Sequence, residues 1–163
     1  MFKKILLTLD GSALAERAID PALAIGKMAG AEVILLRVVP ALSEKVPEAG
    51  PTEEYREFSE TVARATAYLE KIASRFAGES VKTRIMVPAG SPYSEILRAA
   101  HNEDVDFLVM TTHGGTALER AFLGSTTEAV MLRTKRPVFL VKPEKMHAAQ
   151  HLDETEVFVG AEK

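Results

Sequence analysis

Two short groups of residues, Thr111-Thr112-His113-Gly114-Gly115 and Gly124-Ser125-Thr126-Thr127, have the composition and spacing to hold an anion. The first follows an apolar run, Phe107-Leu108-Val109-Met110; the second opens a helical pattern from Ser125 to Arg133. Strand, glycine-bearing loop and helix start together present backbone N–H groups, because a first helical turn has unpaired donors and a partial positive charge. Gly114 and Gly115 permit positive φ, and Gly124 lets a ligand reach the backbone with no Cβ in the way. Ser125 with Glu128 has the spacing of a capping box, which sets the expected helix start at Ser125. Connections in parallel α/β units usually run about 2–6 residues. A longer one ending in Gly-Ser-Thr-Thr reads as a phosphate site rather than a link.

Other residues invite chemistry less strongly. His113 has no carboxylate or nucleophile placed near it by motif, so it is read as a binding residue and not as a catalytic one. His147 and His151 have i, i+4 spacing but sit in a polar stretch without further metal ligands. Arg120, Arg133, Lys135 and Arg136 either attract phosphates or solvate helix ends, the latter being the commoner role. No Walker-type Gly-Lys-Ser/Thr occurs, so no lysine is placed for a γ-phosphate.

The elements that must position these groups are legible along the chain. With 163 residues, 47% of them hydrophobic and 26% charged, one domain with a full core is expected. The absence of cysteine excludes disulfides, thiol catalysis and thiolate metal sites. A net charge of −3 argues against a broad nucleic-acid or anionic-membrane surface. The opening apolar run is too short for a membrane span and no small-residue cleavage site follows it, so cytoplasmic residence is expected.

Ile5-Leu6-Leu7-Thr8-Leu9, an apolar run with Thr8 its one polar residue, reads as a strand buried on both faces and is stopped by Asp10-Gly11-Ser12. Ser12 is the expected cap of a helix that buries Leu14, Ala18, Ala22, Ile25 and Ala29 and stops at Gly30. Pro21 lies within it; the unbroken apolar phase predicts a kink and not a break. Val33 to Val39 is a second strand, followed by a loop from Pro40 to Pro51. Tyr55, Phe58, Val62, Ala65, Leu69, Ile72 and Phe76 step by three and four, the pattern of one buried helical stripe. Val81 to Val87 alternates polar and apolar residues, as an edge strand does. Ser91-Pro92 opens the next helix, Phe107 to Met110 is the fourth strand, and Pro137 to Val141 the fifth.

Strands alternating with four helices predict an α/β three-layer sandwich with a five-stranded parallel sheet. An edge position for the third strand fits the order 3-2-1-4-5, in which strands one and four open a crevice where the winding reverses. Asp10 and Thr111 end those two strands. The fifth strand, apolar from Val138 through Phe139 and Leu140 to Val141, is then left on an open edge. Exposed apolar edges are normally covered, which predicts a two-fold homodimer through this strand. Residues 1–143 form the expected domain and 144–163 a tail, whose Val157-Phe158-Val159 is an alternative edge cover.

Leu9-Asp10-Gly11-Ser12, Leu36-Arg37-Val38-Val39 and Gly114 through Ser125 with nine residues between the glycines resemble the universal stress proteins, from about Lys3 to Lys142. The resemblance implies a Rossmann-like fold of the adenine nucleotide alpha hydrolase-like kind and dimerisation through the fifth strand. In the family's nucleotide-binding branch the motif is Gly, two residues, Gly, nine residues, Gly, then Ser or Thr. Thr111 stands where the first glycine would be, and a side chain there bears on the room left for ribose or phosphates.

By position, the resemblance implies that Asp10 binds the ribose hydroxyls. It implies that Val38 lines an adenine pocket with Thr8, Leu9 and Met110 beside it. Thr111, Thr112, His113 and Gly114 would lie along the nucleotide, and Gly114, Gly124, Ser125, Thr126 and Thr127 would hold its phosphates. The expected ligand is ATP or AMP, with Mg²⁺ on the phosphates. The expected output is a nucleotide-dependent change around the 40–51 loop, read by a partner protein. Two other readings stand beside it: a slow ATPase or phosphotransferase, and a dimeric scaffold that binds no nucleotide.

Overall fold

A computed structural model describes residues 2–42, 52–112 and 123–142. The five expected strands are Lys4–Thr8 (β1), Glu32–Leu36 (β2), Thr83–Met86 (β3), Phe107–Thr111 (β4) and Val138–Val141 (β5). All pair in parallel, in the order β3-β2-β1-β4-β5. Burial explains the order. The centres of β1, β2 and β4 are buried on both faces, whereas β3 and β5 each carry an exposed residue. Near-continuous apolar runs need two covered faces and take the middle; the alternating β3 tolerates an edge.

The helices Ala13–Glu16 (α1), Ile19–Ala29 (α2) and Glu53–Gly78 (α3) cover one face of the sheet. Pro92–Asn102 (α4) and Ser125–Arg133 (α5) cover the other. The four helical crossovers are therefore present, but the first is in two segments. Instead of a kink at Pro21, the helix breaks between Glu16 and Ile19, ahead of the proline. The N–H groups of Arg17 and Ala18 bond three residues back, to the carbonyls of Leu14 and Ala15. Pro21 thus lies in the first turn of α2, where a helix has no acceptor for that N–H and its loss costs nothing.

Two local features fix the sheet beneath the helices. Asp106 Oδ2 accepts the N–H groups of Lys3 and Lys4 at 2.6 and 2.9 Å, and Asp106 N donates to Lys4 O at 2.9 Å. Those two backbone donors hold the Asp106 carboxyl below its ordinary value and set β4 beside β1 from their first residues. Gly26 of α2 has no room for a side chain: a Cβ there would lie 2.8 Å from Val33 Cγ2 and 3.1 Å from Val81 Cγ1. Its bare backbone brings α2 down onto the sheet.

In α3, Thr52 caps the helix by accepting from Tyr55 N at 3.3 Å. The expected stripe is buried at Ala65, Leu69, Ile72 and Phe76. It surfaces toward the amino end, where Phe58 and Val62 are half-buried and Tyr55 is exposed. Length is the reason. At about 1.5 Å per residue, the 26 residues of α3 outrun strands of four or five. The first turns of α3 therefore project past the sheet's carboxyl edge. Among the described residues, no helix is long and apolar enough to cross a membrane.

Candidate functional site

Parallel strands put all their carboxyl ends on one edge, and every strand-to-helix connection starts there. Between β1 and β4, where the winding reverses, that edge opens into a cavity of about 620 Å³. Thr8, Leu9 and Asp10 enter it from the end of β1, Val38 from beyond β2, and Met110 and Thr111 from β4. Gly124, Ser125, Thr126 and Thr127 line it from the start of α5. Segments more than a hundred residues apart are thereby brought to one hollow. Thr112 is buried next to it. His113, Gly114, Gly115 and Arg120, the tail from 144 with its two histidines, and most of the 40–51 loop lie outside the described residues.

The cavity is chemically divided. One wall is apolar: Leu36, Ile96 and Met110 belong to the core under α4 and α5, and Val38 packs against it. Asp10 and Ser12 add polar groups to the lining. Asp10 Oδ1 accepts from Ser12 N at 2.8 Å and Ser12 Oγ at 2.6 Å, while Ser12 Oγ caps α1 by accepting from Ala15 N at 3.1 Å. Gly11 turns the chain between them at φ +85°, a conformation that favours glycine. The Arg37 guanidinium covers that turn, about where a Gly11 side chain would go, and lies 5.0 Å over the Tyr68 ring. Burial, then the nearby Glu16 carboxylate, pushes the Tyr68 phenol above its ordinary value, so the ring under Arg37 stays uncharged.

The amino terminus of α5 also lines the cavity, and its cap differs from the expected one. Gly124, not Ser125, is the N-cap: Glu128 N donates to Gly124 O at 2.9 Å. Ser125 is the first helical residue and Glu128 the fourth, so the capping-box spacing is one residue out of phase. The Ser125 hydroxyl is not spent on capping. The chain is pinned here instead by Gly124 N donating to Thr112 O at 2.7 Å, Thr112 N donating to Val141 O at 3.1 Å, and Thr127 Oγ1 donating to Thr111 O at 3.0 Å. Ser125, Thr126 and Thr127 contribute their free first-turn N–H groups to the cavity.

Sequence reading missed five lining residues, Ser12, Ala15, Leu36, Pro92 and Ile96. The signal for Pro92 and Ile96 was present in Ser91-Pro92, a helix start following a parallel strand, which must lie on the same edge as the others. Arg133, which ends α5, and Arg136 beyond it are not among the lining residues. Arg136 pairs with Asp104 at 2.5 Å, beyond the far end of α4, and the Arg133 guanidinium lies 5.4 Å over the Tyr93 ring. No group of three or more His, Asp or Glu able to hold a metal ion occurs among the described residues. β5 forms the sheet edge, with Phe139 exposed and Val138, Leu140 and Val141 packed inward.

Comparison with known proteins agrees with this architecture. Universal stress protein MJ0577 of Methanocaldococcus jannaschii is 32% identical over 155 residues, covering 87% of this chain and 96% of that protein. Its solved structure matches with a TM-score of 0.78 at 33% identity, over 88% of this chain and 98% of that one. A universal stress protein in complex with cAMP shares the fold at TM-score 0.65 and 20% identity, over 86% of this chain and 97% of that one. So does one from Archaeoglobus fulgidus in complex with dAMP, at 0.58 and 18%, over 87% and 98%. The family model described as the universal stress protein family matches residues 1–142, which takes in every described element. With the sheet order, the reversal-point cavity and that match in agreement, the chain is a member of the universal stress protein family.

Proposed function

We propose that this protein binds an adenine nucleotide, ATP or AMP, in the cavity between β1 and β4 and acts in the cytoplasm as a nucleotide-dependent stress-response switch. The observation that carries the reading is the division of one hollow into an apolar slot, a carboxylate and a helix start. A purine fits the wall of Val38, Leu36, Met110 and Ile96; Asp10 is an acceptor for the ribose diol. Phosphates meet the first turn of α5, where backbone donors and helix dipole favour negative charge. The cAMP and dAMP bound by two proteins of the same fold support the ligand class. Mg²⁺ fits as an ion carried on the phosphates.

Residues 1–143 act as the nucleotide-binding domain and 144–163 as a C-terminal tail. Two copies join through β5, because Phe139 is 46% exposed on that edge. Sedimentation at micromolar concentration is expected to give a dimer; monomer alone would remove this element. The signal to a partner protein leaves through the 40–51 loop, whose first residues, Pro40 to Leu42, border Glu54, Glu57 and Phe58 of α3.

Native mass spectrometry of freshly purified protein tests the central claim. An added mass equal to ATP or AMP is expected, released on denaturation. Protein that carries no nucleotide and takes up neither ATP nor AMP would leave only the empty scaffold. Conversion of retained ATP to diphosphate on standing would instead favour the slow ATPase.

A further inference from the structure

The three hydroxyls that open α5 are not equivalent. Thr127 is 5% exposed and donates its Oγ1 proton to the carbonyl of Thr111, the last residue of β4, at 3.0 Å. Ser125 is exposed and Thr126 half-buried, and both line the cavity. A hydroxyl has one proton to give. We infer that Thr127 is a positioning residue, which holds the phosphate-facing turn of α5 against the end of β4, and that Ser125 and Thr126 supply the hydroxyls that meet the phosphates. This inference rests on the nucleotide reading above and assigns roles within that site.

The geometry gives the clamp a specific job. Thr111 and Gly124 bracket a long connection, and two bonds tie its ends: Gly124 N to Thr112 O, and Thr127 Oγ1 to Thr111 O. The first bond fixes the N-cap. The second acts one helical turn further on and sets the direction in which the N–H groups of Ser125, Thr126 and Thr127 point. Without it α5 keeps its apolar anchor, Val130, which is fully buried. It loses the polar tie that aims its first turn across the cavity. The apolar slot, formed by β2, β4 and α4, does not depend on this bond.

The test compares ATP with adenosine, which shares the base and ribose but has no phosphate. Calorimetric titration of Thr127→Val, nearly the same shape without the hydroxyl, is expected to show about tenfold weaker ATP binding. Adenosine binding is expected to be unchanged, and Thr127→Ser to restore ATP affinity. Ser125→Ala should also weaken ATP while leaving the melting temperature as in wild type, as fits a hydroxyl on the ligand. Equal ATP affinity in Thr127→Val and wild type overturns the positioning role, as does a parallel loss of adenosine. A wild-type protein that binds neither compound overturns the nucleotide reading itself, a separate failure seen before any variant is made.

Discussion

Replacing Gly124 by leucine is expected to weaken adenine-nucleotide binding about a hundredfold or more, with only a modest loss of stability. Gly124 adopts φ −59° and ψ 145°, a conformation open to any residue, so leucine introduces no backbone strain. Gly124 lines the cavity beside Ser125, Thr126 and Thr127, so an isobutyl group there is expected to crowd a ligand held on their N–H groups. A hundredfold corresponds to about 2.7 kcal/mol, in keeping with the loss of several charge-assisted hydrogen bonds. Leucine is a poorer N-cap than glycine, at a cost of about 1 kcal/mol, or a few degrees in melting temperature. Titration calorimetry beside thermal denaturation separates the two effects. Retained affinity would mean that the phosphates lie elsewhere.

The largest effect on stability is expected from Phe76→Ala, about 3–5 kcal/mol. Phe76 is fully buried and packs in one cluster with Leu69, Ile72, Val33 and Val81. Its carbonyl accepts from Glu79 N and Val81 N, so the same residue ends α3 and launches the chain into β3. Truncation leaves a cavity bordered by α3, β2 and the segment leading into β3, which cannot all close in. Urea denaturation should show a lower midpoint with an unchanged slope. The nucleotide affinity of the folded variant should match wild type, because Phe76 lies at the amino edge of the sheet and the cavity at the carboxyl edge. A midpoint near that of wild type would mean that the core beneath α3 collapses freely.

Local pattern was enough for most of the scaffold because burial acts residue by residue. The continuous apolar runs at Ile5 to Leu9 and Phe107 to Met110 admit only a doubly covered strand, and the alternation from Val81 to Val87 only an edge. Those two constraints lead to the strand order, and with it to the meeting of Asp10 and Gly124 in one cavity. Pattern failed where two local signals competed. At Pro21 the apolar phase argued for continuity; the chain breaks four residues earlier, which places the proline where its missing donor is harmless. At Ser125 the capping-box spacing was present, but Gly124, held by its N–H to Thr112 O, accepts from Glu128 N and is the cap.

By itself the sequence determined the parallel α/β sheet, its order, the family and the edge on which the cavity opens, since each follows from periodicity, glycine placement or motif spacing. Only the tertiary structure decided which atoms face the cavity. The apolar slot borrows Leu36 from β2 and Ile96 from α4, residues that look like ordinary core in one dimension. Gly26 matters because Val33 of β2 and Val81, just ahead of β3, close on it. Thr127 turns from a ligand hydroxyl into a clamp because Thr111 O lies 3.0 Å away, across sixteen residues of chain. Distances between segments depend on how helices settle on the sheet, and no local pattern encodes that packing.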